Sequence, residues 1–452
     1  MSMAADHRSH GSVTAPEGGW TALIDDIIAG RWTDPATGRA IDIPYDNVVI
    51  AETLEGREAE LVEGLGLPGR LAVVADTATY EAMGRRVVTA LKARNPDIIL
   101  LDHPHADMAG IATVRERLKG FDSAVAVGSG TINDLVKYVT AEDGRRYCVF
   151  GTAASMNGYT STTASITLES GLKVSLPAQA PSGFFVDLGV SAAAPRRLAA
   201  AGFGDCLARS VAQVDWWLSH RIFGTVYSAS AYAIEADDEQ ELNARAAGIG
   251  HGDVTAVGYL YRVLTLCGLG ISFTGLSNHG SMGEHQISHY IDCFAGKRHP
   301  GTLHGQQVGV ASLTMARLQQ KILASEVAPM VKATVIDEAD MERRMGSAIA
   351  AQCLAEFRKK AFTPQSASAF NERIANIWPE LRRELQAFVV PEAEMKRMLK
   401  EAGGALSAGD LGLDPAFYRE AVIHSREMRN RFSMIDIAAD GGWLVDFAAG
   451  EH

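Results

Sequence analysis

Between residues 71 and 187 the apolar positions come in short, undivided blocks: Leu71-Ala72-Val73-Val74-Ala75, Ile98-Ile99-Leu100-Leu101, Ala124-Val125-Ala126-Val127, Tyr147–Phe150 and Phe184-Phe185-Val186. Blocks of this length, without polar alternation, are the pattern of strands buried on both faces. The stretches Tyr80–Ala93, Val114–Leu118 and 131–140 between them instead place apolar residues at helical spacing. Strand and helix alternate, which predicts an α/β domain with a mostly parallel, Rossmann-like sheet covered by helices on both faces. Strand signals fade after Asp187. From Pro195 onward the pattern reads as helices over 196–220, 227–236, 253–273, 283–295, 304–325, 340–360, 366–375, 379–386, 393–402 and 415–429, which predicts an all-α C-terminal domain. The chain therefore divides into an N-terminal extension (1–45) with one short helix at Trp20–Ile28, an α/β domain (46–194) and a helical domain (195–452).

With 452 residues, 47% of them hydrophobic, the chain can bury cores for two domains. A formal net charge of −12 argues against a nucleic-acid partner and leaves room for a small anion held by a few local cations. The five cysteines are scattered and form no C-x-x-C pair, which suits buried thiols in a reducing, cytoplasmic setting. No run of 18 apolar residues suggests a membrane span, and the first ten residues, lacking an apolar signal core, read as a disordered leader.

Candidate chemistry gathers in four places. Gly128-Ser129-Gly130-Thr131-Ile132-Asn133-Asp134 follows a strand and opens a helix, where free N–H groups and side-chain-free backbone suit a phosphate. It is not the dinucleotide fingerprint, because Asn133 stands where a third glycine is needed. Asp76, ending the first strand, is either a helix cap or a hydrogen-bond acceptor for a ribose. A hydroxyl-dense loop, Gly151 to Ser165, lies at the C-terminal end of another strand. Asp205 reads as the cap of an apolar helix or as an oxygen ligand. The most specific pattern is histidine: His285 and His289 are four apart on one helical face, and His304 follows in a Gly-flanked turn. Three such groups suit a divalent ion. The motif is not that of the zincins, because Glu284 precedes the first histidine. His279 and His299 nearby read as loop residues.

Asp187-Leu188, Ala194-Pro195-Arg196-Arg197-Leu198, Ala201-Gly202-Phe203-Gly204-Asp205 and Gly283-Glu284-His285-Gln286-Ile287-Ser288-His289 resemble the sn-glycerol-1-phosphate dehydrogenases, bacterial branch. These belong to the superfamily of iron-containing alcohol dehydrogenases, glycerol dehydrogenases and dehydroquinate synthases. The resemblance runs from about Val48 to at least Val310. It implies a dehydroquinate synthase-like fold and one divalent metal on Asp205, His285 and His304, zinc in most relatives and nickel or iron in some. It implies NAD or NADP at Gly128, Ser129, Gly130, Thr131 and Asp134, with further contacts from Thr152, Ser155 and Ser161. Asp76 at the ribose favours NAD. It also implies substrate contacts from His289 and from Asn157, where most relatives carry Asp.

The implied reaction is hydride transfer between nicotinamide and a small phosphorylated three-carbon substrate, dihydroxyacetone phosphate, with sn-glycerol 1-phosphate as product. His289 is the candidate proton relay and Lys297-Arg298-His299 a candidate phosphate contact. Alternatives are a dehydrogenase of another polyol or ketose phosphate, and a sugar-phosphate cyclase, against which Asp205 counts because such relatives carry Glu there. The helical domain offers a surface for a homodimer.

Overall fold

The computed structural model describes residues 13–35, 37–41, 43 and 45–452; the proposed leader lies outside them. Eight strands are present in this range: β1 Asn47–Ala51, β2 Leu71–Asp76, β3 Asp97–Leu101, β4 Ser123–Gly128, β5 Arg146–Gly151, β6 Thr163–Thr167, β7 Lys173–Pro177 and β8 Gly183–Asp187. Six form one all-parallel sheet in the order β1-β8-β5-β4-β2-β3. Side chains alternate across it. Val73 and Val125 pack with Leu61, Val62, Met83 and Val87 on one face. Ala72, Val74, Ala124 and Ala126 pack with Ile111, Val114 and Leu135 on the other. After β3 the chain returns across β2 to form β4, so the crevice between the C-terminal ends of β2 and β4 is the switch point where such sheets take ligands.

Three local results differ from the sequence pattern. β3 is an edge strand, so Ile98 and Leu100 remain about 40% exposed instead of buried. β1 was not recognised although Val48-Val49-Ile50-Ala51 is an apolar block like the others, and the antiparallel hairpin β6–β7 carries too few apolar residues to have been recognised. The segment after β2 is broken: Asp76 caps a single turn, a π-helical turn follows at Tyr80–Gly84, and regular helix resumes at Arg85–Ala90.

The helices that position the site are α1 Gly130–Glu142, α2 Arg196–Phe223, α3 Val254–Thr274, α4 Gly283–Phe294 and α5 His304–Leu323. By length and composition α3 could cross a membrane, but 94% of its most apolar window is buried inside the protein. Its Arg262 pairs with Asp238 and bonds the Trp20 carbonyl. The N-terminal segment lies on this helix, with Trp20 edge-on to Tyr259. Gly258 lies beneath the Trp20 ring. Further on, Gly346 at φ 74° splits the 340–360 stretch into helices 338–345 and 347–357. The two helices expected around Pro379 are one, Pro364–Phe388. Its buried stripe of Phe370, Ile374, Trp378, Leu381 and Leu385 outweighs the lost proline hydrogen bond. Helices at 236–244, 246–251, 434–440 and 444–448 were not foreseen.

Candidate active site

Asp205 lies in the middle of α2, nine residues past its first residue Arg196, so it cannot cap that helix. Its carboxylate instead projects from the helix side at 2% exposure. Two close backbone approaches bring it to the histidines. A Cβ on Gly305 would penetrate the Ala201 carbonyl, and one on Gly204 would penetrate the Gly305 carbonyl. The glycines next to Asp205 and His304 therefore let α2 and α5 touch backbone to backbone, with both ligand candidates at the crossing. His285 and His289 come from α4, one turn apart, with ring centroids 5.0 and 5.3 Å from that of His304.

Asp205, His285 and His304 each offer one ligand atom, and these atoms lie within 4.8 Å of one another. Hydrogen bonds set the lone pairs. His285 Nδ1 donates to Glu284 Oε1 at 2.9 Å, leaving Nε2 as an acceptor 3.4 Å from Asp205 Oδ1. Ser288 donates to Gln307 Oε1 and accepts from His304 Nδ1 at 3.0 Å, so His304 Nε2 also keeps its lone pair. Asp205 Oδ1 is buried and has no hydrogen-bond partner. A carboxylate oxygen and two imidazole lone pairs turned toward one another repel unless a cation lies between them, and this donor set suits a zinc-type ion.

Asn157 contributes through its backbone. Its N–H donates to Asp205 Oδ2 at 3.0 Å, a bond that Asp at this position would make equally well. An amide or a carboxylate at 157 would thus support Asp205 alike and differ only in the side chain offered to the cleft. The cleft has a volume of about 620 Å³ including its mouth and is lined by Asn157, Ser161, Asp205, His285, His289 and His304 among others. Burial, followed by the adjacent Arg429, pushes the His289 imidazole well below its usual range, so the ring is neutral.

The residues expected to meet the nucleotide begin at the switch point. Asp76 and Gly128 each lie two residues beyond the last β2–β4 pair, Val74 with Ala126. Asp76 Oδ1 accepts from Thr79 N at 2.8 Å, the capping role that was one of its two readings. Ser129 precedes α1, whose first residues are Gly130 and Thr131. A Cβ on Gly128 would meet Ile132 at 2.6 Å, and one on Gly130 would meet the Met156 sulfur at 2.8 Å. Thr152 N donates to the Gly128 carbonyl, and Ser155 follows in the same loop. Asp134 turns inward to accept from Ser165 N, and Ser161 bonds the Gly158 and Thr163 carbonyls.

Sequence reasoning missed Lys137, one turn after Asp134 and fully buried. Its ammonium donates to the carbonyls of Gly158, Ser161 and Thr163 and so fastens the cleft loop. Burial, partly offset by Asp134, lowers its pKa to about 8. The D-x-x-K spacing at 134–137 was the available signal. His279, expected in a loop, is buried against Cys267 and belongs to a second trio with Glu235, whose carboxylate is neutralised by Arg209. Arg298 covers the Phe417 ring at 4.3 Å, and Lys297 is exposed; neither lines the cleft.

Residues 49–195 match the family model described as iron-containing alcohol dehydrogenase. The chain is 32% identical over 273 residues to the glycerol-1-phosphate dehydrogenase (NAD(P)+) of Thermococcus kodakarensis, covering 60% of this chain and 77% of that one. It is 29% identical over 387 residues to the protein of the same name from Halalkalibacterium halodurans, covering 81% and 85%. Among solved structures, an alcohol dehydrogenase from Oenococcus oeni superposes with a TM-score of 0.61 at 15% identity, covering 91% of this chain and 99% of that one. A probable glycerol dehydrogenase from Sinorhizobium meliloti gives 0.58 at 19% identity, covering 90% and 98%. At these identities the structural likeness speaks for the fold alone.

Proposed function

The chain belongs to the glycerol-1-phosphate dehydrogenases, metal-dependent NAD(P)-linked oxidoreductases of the iron-containing alcohol dehydrogenase type, and from that premise we propose that it reduces dihydroxyacetone phosphate to sn-glycerol 1-phosphate. The observation that carries this reading is the buried meeting of Asp205 Oδ1 with His285 Nε2 and His304 beside a polar cleft. Those three residues would hold the ion. Once bound, the ion would supply Lewis acidity toward the substrate oxygens, and the nicotinamide the hydride. Glu284 and Ser288 fix the two imidazoles, so little reorganisation is required of the protein during turnover.

Residues 46–194 would form the nucleotide half, with Gly128, Ser129, Gly130, Thr131 and Asp134 near the pyrophosphate, Asp76 near the ribose, and Thr152, Ser155 and Ser161 toward the nicotinamide. Residues 195–452 would form the metal and substrate half, with 1–45 as an extension. The His289 ring would relay the alcohol proton in the oxidative direction and return it in the reductive one. Asn157 would hydrogen-bond a substrate hydroxyl without adding charge.

The test is NADH or NADPH oxidation by the purified protein with dihydroxyacetone phosphate, before and after chelation and with zinc, nickel or iron restored. Chelator-sensitive turnover supports the reading. A protein that binds metal and NAD(P) yet leaves this substrate untouched refutes it, and other ketose phosphates and polyols become the candidates. A cyclic product formed from a longer sugar phosphate without net consumption of NAD(P)H would indicate a cyclase.

A further inference from the structure

The 3-10 turn Ser425–Met428 delivers the segment Arg429 to Phe432 to the side of the cleft. Arg429 Nη2 lies 3.4 Å from His289 Nε2. Arg431 donates through Nη2 to Ser277 Oγ at 2.8 Å and through Nη1 to the Ser281 carbonyl. His289, Ser277 and Ser281 all line the cleft. Both guanidinium groups are densely surrounded by protein, yet both residues keep partial solvent exposure. Both therefore lie directly behind residues that line the cleft, each bonded to one or more of them.

These two cations stand apart from the other deeply buried arginines. Arg209 pairs with Glu235 and Glu239, Arg262 with Asp238, and Arg426 with Asp436 and Asp440. Neither Arg429 nor Arg431 has a carboxylate in ion-pair contact among the described residues. Only the thiols of Cys293 and Cys353 act on Arg429 in the favourable sense. Arg431 feels Glu284 more weakly than it feels burial and the like charge of Arg429, and its pKa falls to about 9. Glu284 is itself engaged with His285 and the Met282 N–H. The other nearby cation, Lys173, is matched by Asp292 at 2.7 Å. Two guanidinium groups removed from bulk water without a carboxylate in ion-pair contact carry a cost that an incoming anion would offset.

We propose that Arg429 and Arg431 form a subsite for a phosphomonoester dianion, with the Ser277 hydroxyl as an added donor, and that this subsite sets the preference for a phosphorylated substrate. Guanidinium forks match phosphate oxygens in pairs, which an ammonium cannot do. His289 neighbours both Arg429, at 3.4 Å, and the His304 imidazole, at 5.3 Å between ring centroids, so a short substrate with its phosphate at one end and its reacting oxygen at the other would reach both. The inference rests on the substrate reading above, although the anion site itself can be measured without turnover.

The experiment uses the full-length protein and the variants Arg429→Gln, Arg431→Gln and Arg429→Lys, each checked for folding by its thermal melt. Inorganic phosphate is titrated calorimetrically into each, and kcat/KM is measured for dihydroxyacetone phosphate and for unphosphorylated dihydroxyacetone. Each glutamine variant should weaken phosphate binding and lower the ratio of the two kcat/KM values roughly 10- to 100-fold, with partial rescue by lysine. Folded variants with unchanged phosphate affinity and an unchanged ratio overturn the subsite even if dihydroxyacetone phosphate is turned over. Arginine-dependent phosphate binding in a protein that does not reduce dihydroxyacetone phosphate would support the subsite while refuting the substrate.

Discussion

Glu284→Gln offers a sharp test of how the histidines are held. Glu284 is fully buried, and its Oε1 accepts both from His285 Nδ1 at 2.9 Å and from Met282 N at 2.7 Å. The amide keeps the shape and one acceptor oxygen but removes the charge that makes His285 a stronger donor through Nε2. Partners of this kind are worth roughly 10- to 100-fold in metal affinity, or about 1.4–2.7 kcal/mol. Zinc affinity measured by competition with a chelating dye should fall within that range. Asp205→Asn, which removes a ligand's own charge, should lose more. The melt of the metal-free variant separates loss of affinity from loss of fold. A folded Glu284→Gln protein with zinc affinity within twofold of wild type would refute the argument that this carboxylate tunes His285.

Lys137 gives a pH prediction. Its folded pKa of about 8 lies below the unfolded value of 10.5, so the unfolded chain binds more protons between these limits and the contribution of this group to stability rises with pH there. The difference in unfolding free energy between wild type and Lys137→Met should shift in favour of wild type by about 2 kcal/mol from pH 7.5 to 9.5, and a pH-independent difference in denaturant titrations would contradict it. Gly258→Ala forces a methyl group into the Trp20 ring and should cost roughly 1–3 kcal/mol, read as a lower denaturation midpoint with protease cleavage appearing in residues 13–35. Gly305→Ala pushes α5 away from the Ala201 carbonyl. It should lower metal affinity more than Gly258→Ala does, since it separates Asp205 from His304; equal losses would deny that this crossing positions the ligands.

The sheet was legible because buried parallel strands are short apolar blocks, a signal that survives without tertiary information. β3 kept the block but is an edge strand, and edge position cannot be read from the block itself. β6 and β7 were missed because Thr163–Thr167 and Lys173–Pro177 are built largely of small, polar or charged residues around Ala164, Ile166, Val174 and Leu176. The histidines were legible from their spacing on one helix and a nearby turn. The cap reading of Asp205 was already at odds with the helix read over 196–220; with the start confirmed at Arg196, Asp205 lies inside the helix and cannot cap it. For the phosphate, the nearest basic residues in sequence, Lys297 and Arg298, drew attention. Arg429 and Arg431 lie some 140–150 positions beyond His289 and Ser281, in a stretch whose charges look like an ordinary solvated face. Sequence proximity is a poor guide where a late segment folds back onto an early helix.

Asn157 shows why the metal and substrate functions of the cleft can vary separately. The metal-holding geometry depends on the backbone N–H of residue 157, the contacts of Gly204 and Gly305, and the buried acceptors on His285 and His304. None of these requires a particular side chain at 157. Under the proposal, recognition of substrate would fall to the Asn157 amide and the His289 ring, which line the cleft, and to Arg429 and Arg431 bonded to its lining residues His289, Ser277 and Ser281. With Asp at 157, a carboxylate would oppose a dianionic substrate and partly satisfy the guanidinium groups. With Asn, the local field is more positive, by one charge, than it would be in an Asn157→Asp variant. By Coulomb's law at an effective dielectric near 20, one charge several ångströms away changes the binding of an anion by a few kcal/mol. On these grounds Asn157→Asp should weaken the binding of a phosphorylated substrate relative to a neutral polyol, and an unchanged ratio of the two kcat/KM values would refute the argument.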